Sequence, residues 1–150
     1  MPEMRDRVEF AVPPGQIVVH RATCPRGCPL MAKDHPIHGH PSIRVRVRHE
    51  GRTGLLYLDP VYGSHDNESE LEVPANAIAE LSCPSCGTSL RHPEMTCALC
   101  AAPMFLLHLP GGGFVEACLR NRCFQHRLHV VTGEQVMQQM FDRIGMDSFL

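Results

Sequence analysis

The chain predicts a mostly β fold, a small α+β domain in which short antiparallel hairpins lead to one C-terminal helix. Three observations carry this expectation. From Ser42 to His49, Ile43, Val45 and Val47 alternate with Arg44, Arg46 and Arg48, the period-two pattern of a half-buried strand. Met104 to Leu109 and Phe114 to Cys118 flank Pro110-Gly-Gly-Gly113, a strong hairpin signal. Val136, Met137, Met140, Phe141 and Ile144 fall on one helical stripe near the C-terminus.

The remaining elements follow in chain order. Met1 to Pro14 reads as a polar lead-in, and Gln16 to His20 as a short strand. Thr23-Cys-Pro-Arg-Gly-Cys-Pro29 is too rich in proline for a helix and reads as a ligand-bearing turn. His35-Pro-Ile-His-Gly-His40 reads as an extended loop. After the Ser42–His49 strand, Glu50 to Gly54 is a turn, and Leu55 to Leu58 is the returning arm. Asp59-Pro60 ends that arm, because proline has no N–H for the ladder. Ser64 to Glu72 carries Asp66, Glu68, Glu70 and Glu72 and reads as a solvated acidic loop. Ile78 to Ser82 delivers the chain into a turn at Cys83, and Arg127 to Val131 is a further strand. Thr132 is a fitting N-cap for a helix over 132–146, with Gln135 three residues on and Gly145 as its stop.

One domain is expected over 1–150, with 78–103 as a metal-stapled module inside it. Hydrophobic residues make up 43% of the chain, aromatic residues only 5%, and tryptophan is absent. With 13 prolines and 12 glycines besides, the apolar core is modest and needs a substitute. Eight cysteines in four close pairs supply one: Cys24/Cys28, Cys83/Cys86, Cys97/Cys100 and Cys118/Cys123. A short loop with two thiolates presents both to a single tetrahedral ion, so four pairs suffice for two four-thiolate sites. Site formation then contributes folding free energy directly.

The formal net charge is −2, and two tetrathiolate zinc sites would add about −4. Bulk electrostatics thus give no reason to expect nucleic acid or an anionic membrane. No run approaches the roughly 20 apolar residues of a membrane span. Met1 to Glu9 lacks the apolar stretch of a signal peptide. A reducing cytoplasm is the expected compartment, where clustered cysteines serve as ligands rather than disulfides.

Cys83-Pro-Ser-Cys86-Gly87, ten residues, then Cys97-Ala-Leu-Cys100 resembles a zinc ribbon. The resemblance implies a structural Zn2+ held by Cys83, Cys86, Cys97 and Cys100. By elimination Cys24, Cys28, Cys118 and Cys123 form a second site, with His126 as an alternative ligand. Arg21, Arg26, Arg120, Arg122 and Arg127 would offset its charge. The rival pairing is crossed, Cys24/Cys28 with Cys97/Cys100 and Cys83/Cys86 with Cys118/Cys123. All-thiolate sites admit iron as well as zinc, and the C-P-x-C-G turn is similar to one half of rubredoxin. The other half, Cys97 to Ala101, lacks its proline and glycine.

Other features carry less. His35, His38 and His40 form a patch able to hold a third metal, with solvated loop histidines as the plainer reading. Arg44, Arg46 and Arg48, with Arg52 in the turn, offer a face for nucleic acid or an acidic partner, though no aromatic residue interleaves for stacking. Cys83-Pro-Ser-Cys86 has the spacing of a thioredoxin-type redox pair, but no apolar helical stripe follows it. The motifs H-E-x-x-H and G-x-S-x-G are absent, and cysteine pairs that close both sites leave no open position for catalysis. The function expected is a non-enzymatic zinc protein, a protein-interaction adaptor or assembly factor. Nucleic-acid binding is the first alternative and a rubredoxin-like iron or redox protein the second.

Overall fold

A computed structural model describes residues 8–9, 17–123 and 126–130 of the chain; for 8–9 and 126–130 it describes the backbone alone. The alternation at Ile43, Val45 and Val47 produces β3 (His40–His49), with these three residues buried and Arg44, Arg46 and Arg48 on the opposite side. Strand β3 is the hub of the first sheet. Its neighbours are β2 (Met31–Ile37) along its first half and β6 (Glu80–Ser82) along its second. On its other edge runs β4 (Arg52–Leu58), followed by the short β5 (Glu68–Ser69). Glu50 and Gly51 both take positive φ, 52° and 79°, so the β3–β4 turn is the two-residue type that matches strand twist. It is tighter than the Glu50–Gly54 turn expected, because His49 already pairs with Arg52.

The second sheet is antiparallel throughout, in the order β1 (Val8–Glu9), β10 (His126–Val130), β9 (Phe114–Cys118), β8 (Pro103–His108) and β7 (Arg91–Thr96). A single 3-10 turn at Pro110–Gly112 joins β8 to β9, as the glycine run requires. The two sheets enclose one apolar core. Val45, Val47, Leu58 and Leu81 come from the first sheet, Phe105, Leu107 and Val115 from the second, and Ile17, Leu30, Leu71 and Leu90 from connections.

Several other expectations change: in place of a strand ending at His20, Val18 makes only an isolated bridge to Val61, and the expected acidic loop contains β5. The extended loop at His35 to His40 is instead the β2–β3 hairpin, closed by His38 and Gly39 at φ 56° and 78°. The lead-in contributes a strand, since Val8 pairs with Val130. Residues between Cys86 and Cys97, for which no element was expected, contain β7; an edge position and a register shift accommodate Pro93. The helix expected over 132–146 lies outside the described residues. Among those residues no helix is long and apolar enough to cross a membrane.

Candidate metal centres

All eight cysteines are free thiols gathered into two sets of four, and within each set the sulfurs lie within 4.8 Å of one another. The first set is Cys24, Cys28, Cys83 and Cys86; the second is Cys97, Cys100, Cys118 and Cys123. This corrects both expected pairings. The ribbon site of Cys83, Cys86, Cys97 and Cys100 does not form, because β7 runs extended between its halves and six residues of strand span about 20 Å. Cys24 and Cys28 accordingly do not meet Cys118 and Cys123, nor does the crossed arrangement occur. His126 belongs to a segment whose side chains are outside the description.

Strand connections dictate the grouping. Leu30, just past Cys28, accepts the backbone N–H of Arg44 in β3. Strand β6 pairs with the second half of the same β3 edge and ends at the Cys83 turn. One strand therefore carries both knuckles of the first set, and an Arg46 guanidinium bond to the Pro84 carbonyl (3.0 Å) secures the junction. The second set follows from the β8–β9 hairpin, where Met104 pairs with Cys118. The knuckle before β8 and the one after β9 must meet at the hairpin's open end.

Distances within each set suit a tetrahedral ion. Zn–S bonds of about 2.3 Å place sulfurs roughly 3.8 Å apart at tetrahedral angles. The Cys24–Cys86 and Cys97–Cys123 sulfur separations are both 3.8 Å, and Cys100–Cys118 is 3.4 Å. A disulfide would need about 2.05 Å. The leading cysteine of every pair also receives a backbone N–H from two residues on. Arg26 donates to Cys24 (3.3 Å), Ser85 to Cys83, Leu99 to Cys97 and Arg120 to Cys118 (each 3.4 Å). Such donors favour the thiolate, the form a metal takes. The donor set thus fits a structural divalent ion in each cluster.

Each turn also contains one left-handed residue: Gly27, Gly87, Ala101 and Arg122. Gly87 and Ala101 occupy equivalent places, each donating its N–H to the first cysteine's carbonyl. A Cβ at Gly87 would meet nothing within 4 Å, so only backbone strain distinguishes the two. Replacing Ala101 by Gly should raise stability by about 0.5–1 kcal/mol, and Gly87→Ala should lower it by about 1 kcal/mol. Thermal melts of the metal-loaded variants measure both.

No family model matches the chain, and no curated protein or solved structure matches it either. The clusters accordingly rest on their own chemistry.

That chemistry separates the thiols of each set. The Thr88 hydroxyl and backbone hold Cys86 down to about 6, from an ordinary 9.0. The Ala102 N–H and then Arg120, whose Nε is 3.4 Å from the sulfur, bring Cys100 to about 6. Hydrogen bonding to Cys24 and Cys86 pushes Cys28 up to about 12, and burial pushes Cys118 up. In metal-free protein each set would thus pair a readily ionised thiol, Cys86 or Cys100, with one that keeps its proton, Cys28 or Cys118. A divalent cation displaces that proton, so metal binding releases protons and weakens as pH falls. The depressed pair has the same sign. Its stabilisation is complete above the free-thiol value and is lost as pH drops through about 6. Arg120→Ala should therefore weaken metal binding at the second set by about 10- to 100-fold and raise the pH of its release. The first set should be untouched, as competition with a chromophoric chelator would show.

The histidine patch is divided among three places. His35 stacks on Tyr57 with ring centroids 3.7 Å apart and pairs with Glu68. His40 meets His20 edge to face. His38 Nε2 lies 3.1 Å from Asp59 and 2.9 Å from Asp66. Asp59 and Asp66 are the partners that sequence reasoning missed, since only the β2–β3 hairpin turn brings His38 to them. The Asp59 carboxylate already accepts from the N–H groups of Val61 and Asp66 and the Ser64 hydroxyl, so the cluster is a tie between the hairpin turn and the 59–67 loop. The arginine row is divided too. Arg44 pairs with Asp34 and lies over Tyr57, Arg46 holds Pro84, and Arg48 and Arg52 are exposed.

Proposed function

We propose that this is a non-enzymatic zinc protein of a reducing, cytoplasmic compartment. Two four-cysteine centres staple short β-elements into a rigid platform for another protein, as an adaptor or assembly factor. The observation that carries the reading is closure. All eight thiols fall into two sets of four, and an ion held by four thiolates would keep no open position of the kind that metal-assisted catalysis requires. Zinc is preferred to iron because only the Cys83 turn has the proline and glycine of the rubredoxin type. When bound, the ions supply cross-links, and the residues around them orient and neutralise the thiolates.

Two surface features support protein contact. Leu99, at the tip of the Cys97 knuckle, is 74% exposed, an apolar side chain presented on a turn that metal would hold still. Beside the second cluster lies a cavity of about 510 Å3. Leu58, Leu71, Leu81 and Phe105 line its apolar part, while Glu72 and Arg122 lie among its polar residues. Such a volume suits a partner's apolar side chains or a small ligand.

Elemental analysis by mass spectrometry tests the metal half of the reading, with two zinc ions per chain and a colourless protein expected. Iron with visible absorption, or fewer than two metals, would refute it. Filter binding across salt concentrations tests the nucleic-acid alternative. Retention that falls steeply with salt, and vanishes when Arg44, Arg46 and Arg48 become Glu, would replace the adaptor reading.

A further inference from the structure

We propose that the groove between β3, β6 and β7 recognises a phosphorylated segment of the partner protein. The inference deepens the adaptor reading and rests on it. In β6, Ser82 pairs with Arg46 and Glu80 with Arg48. Past the Cys83 turn the chain returns alongside β6, with Ser82 bridging Ser89 and the Leu90 N–H donating to the Leu81 carbonyl. Continuing that register sets Arg91 opposite Glu80. Residues in register share a sheet face, and Arg46, Arg48, Glu80, Ser82, Ser89 and Arg91 all line one concavity of about 630 Å3.

Three guanidiniums face a single carboxylate, which leaves two positive charges uncompensated. Arg46 is anchored through Pro84. Arg48 and Arg91 are exposed, and neither guanidinium has a hydrogen bond or ion pair among the described residues, even with Glu80 between them. A phosphoryl group carries about −1.5 to −2 at neutral pH and three acceptor oxygens, and the forked guanidinium matches those oxygens in pairs. Ser89 Oγ accepts the Arg91 N–H, so its own hydroxyl proton, like that of Ser82, is available to donate. Ile78, 41% exposed at the groove, adds an apolar contact for a residue flanking the phosphate.

A peptide fits these features better than nucleic acid. No aromatic side chain lines the groove to stack a base. The chain's formal net charge is −2, and metal-loaded tetrathiolate sites would add negative charge. A long polyanion would be repelled where a single phosphoryl group is not.

Fluorescence anisotropy with the zinc-loaded full chain tests the proposal. The probes are a labelled Gly/Ser-rich peptide carrying one phosphoserine, the same peptide unphosphorylated, and a short oligothymidylate. Binding is expected for the phosphopeptide alone, displaced by inorganic phosphate. It should weaken on the order of tenfold or more in an Arg48→Ala/Arg91→Ala variant but stay unchanged in Arg52→Ala. Equal affinity for the two peptides, tighter binding of the oligonucleotide, or full binding by the double variant would each overturn the proposal. Metal content is measured on the same samples. Two zinc ions without phosphopeptide binding would remove the groove and leave the zinc platform standing. Phosphopeptide binding by a chain holding iron or fewer than two metals would do the reverse.

Discussion

Replacing Cys86 by Ser is expected to leave one zinc per chain, and adding Cys28→Ser should remove no more, because both residues serve the same ion. Pairing Cys86→Ser with Cys97→Ser should instead leave none. The two outcomes discriminate among all three arrangements of the cysteine pairs. Both pairings expected from the sequence put Cys28 and Cys86 in different sites, so either would leave the Cys28/Cys86 variant without metal. Native mass spectrometry reads the count directly. The sites should also differ in robustness. The Cys97 to Cys123 set lies on one hairpin, with sulfur partners 18 and 26 residues apart, so it closes locally. The Cys24–Cys86 contact spans 62 residues and depends on β3 already holding its neighbours. Structural zinc in small domains binds with an apparent free energy of about 10–16 kcal/mol, comparable to the whole stability of an ordinary domain at about 5–15 kcal/mol. Loss of the first ion should therefore abolish the cooperative thermal transition of the first sheet. The second set keeps its metal.

That the cysteines are ligands was legible because short spacing leaves a metal as the simplest user of two thiols. Their pairing was not, because it depends on which strands lie side by side. Part of it could still have been found. The Pro110–Gly113 hairpin was recognised from its turn, and a hairpin necessarily joins its open ends. Cys97/Cys100 and Cys118/Cys123 flank those ends, so they had to meet. The ribbon resemblance, a local pattern of 18 residues, obscured that topological constraint. Strand β7 carries no apolar alternation around Pro93, and the β2–β3 hairpin was hidden by one proline and three histidines at His35 to His40, where the decisive feature is left-handed backbone at His38 and Gly39. By contrast β3 stood out, because three buried β-branched residues alternating with arginines permit little else. The arginines illustrate the limit of such a reading. Their common face was evident, but Asp34 and Pro84, which engage two of them, and Arg91, which joins them across β6, are distant in sequence.

Truncating Phe105 to Ala should cost about 3–5 kcal/mol while both zinc ions stay bound. Phe105 is 7% exposed, belongs to the core between the sheets, and borders the cavity beside the second cluster. Removing a buried ring forfeits its transfer free energy and leaves a void, and the cost rises where surrounding groups cannot close in. Here one side of the void is an existing cavity and the other is sheet anchored by thiolate turns, so little relaxation is available and the upper part of the range is expected. Chemical denaturation of the metal-loaded protein, with zinc counted before and after, measures the loss and separates two kinds of stabilisation. If sulfur–metal bonds dominate, Phe105→Ala lowers the midpoint without altering stoichiometry, and chelation of the wild-type chain is far more destructive. A variant that sheds zinc as it loses its core would instead show that apolar packing assembles the thiol clusters, reversing the order of cause proposed for this fold.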